Sequence, residues 1–294
     1  MDVRRLRLLL ELSRLGSMHE VATELGTSTS SVSQGISALA RDAGTALVEP
    51  DGRRVRLTPA GHRLAEHAVA ILAAVDAARL DLNPSAEPAG VLRVAGFATA
   101  VRRSLLPAIA DLAESHPGVE VRVHEHEPPE AYDLLARDDV DLALTYDYDL
   151  APATFDASLE ARALGSAAWS LGVPAGADPV AGSALAVFAQ WRDADWIVNS
   201  RNTADDEVVR TVASLAGFRP RIAHRADSLE LVQDMIVAGM GVGLLPADQP
   251  TVPGVALRPL RDPRVWMRSY AVTRRGRERW PPLALVLGLL EPGS

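Results

Sequence analysis

The chain has 294 residues, 48% of them hydrophobic, with a formal charge of −8 and no cysteine. That length exceeds one ordinary core and predicts two or three domains, while the missing cysteines exclude a disulfide framework, cysteine-ligated zinc and thiol catalysis. The uncharged stretches, such as Ala163 to Ala177, fall short of a spanning helix, and the first apolar run, Leu8 to Leu10, stops at Glu11, unlike a signal peptide; a cytoplasmic protein with no membrane partner is the expectation.

Charge is unevenly placed. Residues 1–63 hold nine arginines against seven acids, and the remainder 21 against 31. A mildly basic head on an acidic body suits a small DNA-contacting N-terminus rather than a chain coated in basic surface.

The elements of the first 58 residues follow from local signals. Leu6, Leu9 and Leu10 fall at i, i+3, i+4, so the spacing predicts an amphipathic helix over 3–15, ended by Gly16. Ser17 and Glu20 form a capping box that opens a second helix reaching Leu25. After Gly26 and a Ser/Thr cluster, a third helix runs to about Ala43. It sets Val32, Ile36 and Leu39 on one face and Ser30, Gln34, Ser37 and Arg41 on the other. Asp51-Gly52 then marks a hairpin with Arg53, Arg54 and Arg56 on its returning strand.

Thr58 and Pro59 suit the cap and first position of a long helix that Asn83-Pro84 stops. Leu64, Ala68, Ile71, Val75, Ala78 and Leu82 are spaced as a heptad seam. The stripe packs either on its own chain or on a second copy, and pairing is the preferred reading. Beyond a Pro84–Gly90 linker, strands are expected at 91–95, 119–124, 142–145, 169–173, 196–199, 241–245 and 270–273. Helices are expected at 99–115, 129–137, 184–191, 205–216, 228–238 and 282–290. Such alternation argues for α/β lobes with mostly parallel sheets.

Two helices joined by a short turn, the second offering Ser, Thr and Gln opposite its buried face, suit a helix-turn-helix. Short polar side chains can meet base edges while the apolar side holds the helix. The arginine hairpin suits a wing on phosphates or in a minor groove. A solvated small-helix domain is the plain alternative.

These residues resemble the LysR-type transcriptional regulators. The likeness is carried by the opening Met1-Asp2-Val3-Arg4-Arg5-Leu6, Gly16-Ser17, Val32-Ser33-Gln34, Ile36-Ser37-Ala38-Leu39 and Gly52-Arg53-Arg54-Val55-Arg56-Leu57-Thr58-Pro59-Ala60-Gly61. It continues through His116-Pro117-Gly118-Val119, Asp141-Leu142-Ala143-Leu144, Ala216-Gly217-Phe218 and the run from Val237 to Pro246, in the family's order. The resemblance implies a winged helix-turn-helix over 1–58, a linker and dimerisation helix over 59–89, and a periplasmic-binding-protein-like effector domain over 90–294. Its lobes would be 90–163 with 267–294, and 164–266. Ser28, Thr29, Ser30, Ser31, Ser33, Gln34 and Ser37 would face the major groove, with Arg53 and Arg54 in the wing. Double-stranded DNA, a second copy in a dimer or tetramer, and RNA polymerase are the implied partners. Thr29-Ser30 departs from the family's frequent Gln-Pro, and Glu49-Pro50 from its usual Arg. Gly35 is unusual inside a recognition helix, and at ~1 kcal/mol less favourable than Ala it predicts a helix that stiffens only on DNA.

A small anionic effector is expected between the lobes, where helix N-termini offer free N–H groups. Its candidate residues are Thr99, Ala100 and Arg102, with Arg103 nearby, and Asn199, Ser200, Asn202 and Thr203. Thr203-x-x-Asp206 and Asp227-x-x-Glu230 also read as ordinary caps. Gly239-x-Gly241-x-Gly243 follows a helix and enters a strand, the reverse of a dinucleotide loop. His124 and His126 share a strand face without further ligand spacing, so no metal site is expected. No catalytic motif, and hence no catalytic residue or cofactor, is read. A solute-binding protein or an enzyme on the same two-lobed fold are the rival readings; the first would need export and no head, the second an acid/base or nucleophile set.

Overall fold

The computed structural model describes residues 1–52, 54–83, 86–180 and 182–291, with the backbone alone for Arg54. Helices α1 (Val3–Leu15), α2 (Met18–Glu24) and α3 (Thr29–Ala43) open the chain. Each begins at a side chain that satisfies a free N–H: Asp2 accepts from Arg4, Ser17 from Glu20 and Ser28 from Ser31. Gly16 and Gly44 end α1 and α3 in the left-handed conformation, at φ 67° and 69°. Val32, Ile36 and Leu39 of α3 are fully buried against Leu6, Leu9 and Val21. The hairpin β1 (Val48–Asp51) and β2 (Arg54–Leu57) follows.

Helix α4 spans Pro59–Asp81, with the Thr58 hydroxyl accepting from the Gly61 N–H at 3.0 Å and donating to the Ala46 carbonyl at 2.7 Å. Gly61 is required here, because a Cβ would lie on the Leu47 carbonyl oxygen. The inner face of α4, Ala65, Ala68, Val69 and Leu72, completes the core of the head. The seam read from the heptad spacing is therefore mixed. Ala68 is spent inside its own head, whereas Ile71, Ala78 and Leu82 are exposed and Leu64 and Val75 half-buried. Midway, Ala70 lies so close to Gly276 that a Cβ there would overlap it.

The rest of the chain carries β3 (Gly90–Gly96), α5 (Ala98–Ala100), a π-helical turn at Val101–Leu105, α6 (Leu106–Ser115), β4 (Val119–Glu125), α7 (Pro128–Ala136) and β5 (Leu142–Tyr148). These form the first lobe, with β3 parallel to both β4 and β5. The second lobe has α8 (Ala184–Gln190), β7 (Asp195–Val198), α9 (Ala204–Leu215), β8 (Arg221–Arg225), α10 (Leu229–Val237), β9 (Val242–Pro246) and β10 (Val255–Pro259), and here β7 is parallel to β8 and β9. Two long antiparallel strands, β6 (Leu159–Pro174) and β11 (Trp266–Arg274), join the lobes into one sheet ordered β4-β3-β5-β11-β6-β9-β7-β8. A 3-10 turn at Arg277–Arg279 and α11 (Pro281–Leu289) close the chain against α4 and the first lobe.

The α/β reading holds, with three differences. The joining strands are much longer than the apolar runs 169–173 and 270–273, because their outer halves alternate with polar residues. The edge strand β8 was not anticipated, since it offers no apolar run: two arginines and a histidine stand among its five residues and none is fully buried. Nor was β10, whose central residues are only half-buried where it pairs with β6. The glycines between α10 and β9 make a tight helix-to-strand turn, and a Cβ on Gly241 would meet the Asp195 carbonyl. Among the described residues no helix is long and apolar enough to cross a membrane.

Candidate functional site

Two regions concentrate polar side chains on rigid elements. The first is the outer face of α3. Ser28 holds the start of this helix: its hydroxyl accepts from the Ser31 N–H at 3.2 Å and bonds the Ser30 and Ser31 hydroxyls at 2.9 and 2.8 Å. Ser28, Thr29, Ser30, Ser31, Ser33, Gln34 and Ser37 lie along this helix with their side chains exposed, while Val32 and Ile36 between them are buried. A shallow groove is lined by Ser31, Ser33, Gln34 and Ser37 together with Arg41 and, from α1, Arg5. Arg5 was not picked out from the sequence. Its signal was an arginine beside the apolar stripe of α1, and Asp42 holds it in place at 3.1 Å. Arg53 lies outside the described residues, as does the side chain of Arg54. Arg56 is paired with Glu49 across the hairpin at 2.8 Å.

The expectation for Gly35 needs correction. Helix α3 is continuous through it, and a Cβ there would overlap Leu8 of α1. The glycine thus lets two helices approach closely.

The second region is a cavity of about 530 Å³ between the lobes. Thr99, Arg102 and Asn199 line it. The other candidates are engaged elsewhere. Ala100 is buried in the core, and Ser200 donates to Asp227 through both its N–H and its hydroxyl, each at 2.7 Å. Asn202 caps α9 by accepting from the Ala204 N–H, and the Thr203 hydroxyl donates to Glu207.

Arg102 and Arg103, read as charge that could add to the helix N-termini in holding an anion, are both paired across the cleft. Arg102 meets Glu230 at 2.5 Å and Arg103 meets Asp248 at 2.9 Å. From the opposite lobe, Arg201 pairs with Asp227 at 2.7 Å and reaches Glu130 at 3.3 Å. The hydrogen bond from Arg102 holds the Glu230 carboxyl down to about 2.

The inner wall is acidic and aromatic. Glu127, at 5% exposure, caps α7 and accepts from the Tyr146 hydroxyl at 2.9 Å. Asn199 of the other lobe donates to the Tyr146 oxygen at 3.3 Å, while its own carbonyl accepts from the Arg201 and Asn202 N–H groups. Burial pushes Glu127 up to about 7, against the pull of the Tyr146 hydrogen bond. Burial likewise lifts Asp205, in the first turn of α9, to about 6, against the pull of the Tyr148 hydroxyl. Phe97, Tyr146, Tyr148 and Trp169 form a chain of edge-on rings with centroids 4.7, 6.0 and 5.5 Å apart. Sequence reading missed Glu127, Tyr146 and Asp205. Glu127 stood within the His124-Glu125-His126-Glu127 run that was weighed for metal, and Asp205 looked like an ordinary first-turn acid. Among the described residues no group of three or more His, Asp or Glu is arranged to hold a metal ion.

Comparison with known proteins places both regions in one context. Residues 3–62 match the model for bacterial regulatory helix-turn-helix proteins of the lysR family, and residues 85–293 match the LysR substrate binding domain. The chain is 32% identical over 259 residues to a "Probable hydrogen peroxide-inducible genes activator" of Mycobacterium avium, covering 87% of this chain and 79% of that one. It is 25% identical over 287 residues to the "Transcriptional dual regulator GltC" of Bacillus subtilis, covering 96% and 93%. Among solved structures, a full-length OxyR variant from Pseudomonas aeruginosa superposes with a TM-score of 0.70 at 18% identity, over 100% of this chain and 99% of that one. CbnR in complex with its target DNA gives 0.52 at 22% identity, over 99% and 98%. At these identities the two structures speak for the fold alone.

Proposed function

This chain belongs to the LysR family of bacterial transcriptional regulators, and on that premise we propose how its parts divide the work. Residues 1–58 are the DNA-binding head, 59–89 the linker helix and hinge, and 90–294 the effector-binding part, with lobes at 90–163 plus 267–294 and at 164–266. Helix α3 enters the major groove of double-stranded DNA. Ser31, Ser33, Gln34 and Ser37 meet base edges, and Arg5 and Arg41 meet phosphates beside them. Arg53 and Arg54 serve the wing. The exposed stripe of α4 joins two copies so that two heads reach two half-sites, and further pairing yields a tetramer. The complex works in the cytoplasm with RNA polymerase and carries out no chemistry of its own.

A small molecule in the interlobe cavity controls the heads. The ion pairs Arg102–Glu230, Arg103–Asp248 and Arg201–Glu130 bridge the two lobes. A ligand that loosens or tightens this latch changes the angle between lobes, and it biases transcription only by its differential affinity for the two arrangements. The name of one relative ties that protein to hydrogen peroxide. This chain contains no cysteine, which favours a reversibly bound effector over a thiol-based response.

The observation that carries the reading of DNA is the exposed polar face of α3 set on a fully buried Val32, Ile36 and Leu39. Gln34→Ala is expected to cost about 1–3 kcal/mol on the cognate operator and little on random DNA. Fluorescence anisotropy with both duplexes tests this, and equal losses on the two would remove α3 from base reading.

A further inference from the structure

Building on the cleft as the effector site, we propose that the effector carries an organic ammonium group, held between Glu127 of one lobe and Asp205 of the other against an aromatic wall. The charge balance of the cavity points there first. The cationic side chains that line it, Arg102 and Arg103, are each committed to a carboxylate across the cleft. Asp227, on the same wall, already accepts from Ser200 and Arg201. Glu127 and Asp205 differ. Among the described residues neither has an ion-pair partner. The Asp205 Oδ1 is shut from solvent and makes no hydrogen bond of ordinary geometry.

A buried carboxylate without a cation is costly, and the cost falls when a ligand supplies the cation. The tighter hold of Glu127 and Asp205 on their protons is the same cost seen from the proton's side.

The wall adds an independent argument. Phe97, Tyr146 and Trp169 line the same cavity, and Trp169, at 7% exposure, has an indole N–H with no partner. Aromatic rings beside unpaired carboxylates suit an organic ammonium. Its charge meets the acids, its carbon skeleton packs on the rings, and the ring faces attract it further. The indole N–H is left to donate to an oxygen elsewhere on the ligand. A cavity of about 530 Å³ is the size for a small molecule rather than a bare ion. An anion would instead sit beside two acids, with the arginines of the wall already committed to other carboxylates. The two acids also stand on opposite lobes, Glu127 at the start of α7 and Asp205 in α9. One ammonium between them draws the lobes together, which gives it the differential affinity that a regulator requires.

The test uses the full chain at pH 7.5 and three sets of probes: benzylamine and 1,4-diaminobutane, their alcohols benzyl alcohol and 1,4-butanediol, and the anions benzoate and succinate. Ligand-observed NMR and calorimetry read binding up to concentrations on the order of 1 mM. Thr99→Phe partly fills the cavity and identifies binding within it. Glu127→Gln and Asp205→Asn neutralise the acids separately, and the melting curve without probe shows that each variant folds. The expected result is binding by an ammonium probe, absent from the alcohols, lost in Thr99→Phe and weakened about tenfold or more by either neutralisation. Anions that bind and are lost in Thr99→Phe overturn the ammonium and leave the cleft standing as the effector site. Ammonium binding that persists in Thr99→Phe, or that ignores both neutralisations, overturns the assignment. No ammonium binding in this range overturns it as well, while operator binding by the same protein keeps the regulator reading separate.

Discussion

Replacing Glu127 with Gln isolates what it costs to keep a carboxylate in the cleft. Glutamine has the same shape and retains an oxygen that accepts from the Tyr146 hydroxyl, but it cannot ionise. Burial moves the Glu127 carboxyl from an ordinary 4.5 to about 7, which at 1.36 kcal/mol per tenfold corresponds to about 3 kcal/mol. The sign follows from proton binding. Between these values the folded chain holds a proton that the unfolded chain has released, so stability falls as pH rises through the window and the full cost stands above about pH 7. Below about pH 4 the two proteins should melt alike. That shift already includes what the charged form gains at the cap of α7, so the gain at pH 8 is up to about 3 kcal/mol, or several degrees in the melting of the effector-binding part. Scanning calorimetry of both proteins at pH 5, 6, 7 and 8 measures it. The gap should open with rising pH, while the ammonium response of the variant declines. Parallel melting temperatures across the range, or a variant that loses stability as pH rises relative to its parent, would refute the reasoning.

Arg41→Ala should weaken binding to operator and random DNA alike and lower the salt slope by about one, if its guanidinium neutralises one phosphate; an unchanged slope in titrations at several salt concentrations removes it from the backbone contacts. Ile71→Glu places a charge on the exposed stripe of α4 and should separate dimers; an unaltered mass by ultracentrifugation at low micromolar concentration would show that the stripe does not hold them. Gly61→Ala should destabilise the head by about 1–3 kcal/mol, because the added methyl meets the Leu47 carbonyl and overpacking outweighs a helix-propensity gain of ~1 kcal/mol; a variant that melts at or above its parent would contradict this.

The head was legible in the sequence because its determinants are local. Asp2, Ser17, Ser28 and Thr58 cap the helices they precede, and the period of Val32, Ile36 and Leu39 decides which face of α3 remains outside. Alternating strands and helices likewise foretold two α/β lobes. What tertiary structure alone decided was how distant residues meet. Gly35 read as a weak point of α3 until Leu8 of another helix was found against it. Arg102 and Arg103 read as charges for an anion, but Glu230 and Asp248, 128 and 145 residues away, neutralise them. Glu127 stood in a run weighed for metal and Asp205 only opened an expected helix, and it takes the closing of two lobes to leave them without a cation beside an aromatic wall. Periodicity and capping act over a few residues and survive in the sequence. The charge of a cleft is what remains after long-range pairing, and no window along the chain contains both members of those pairs.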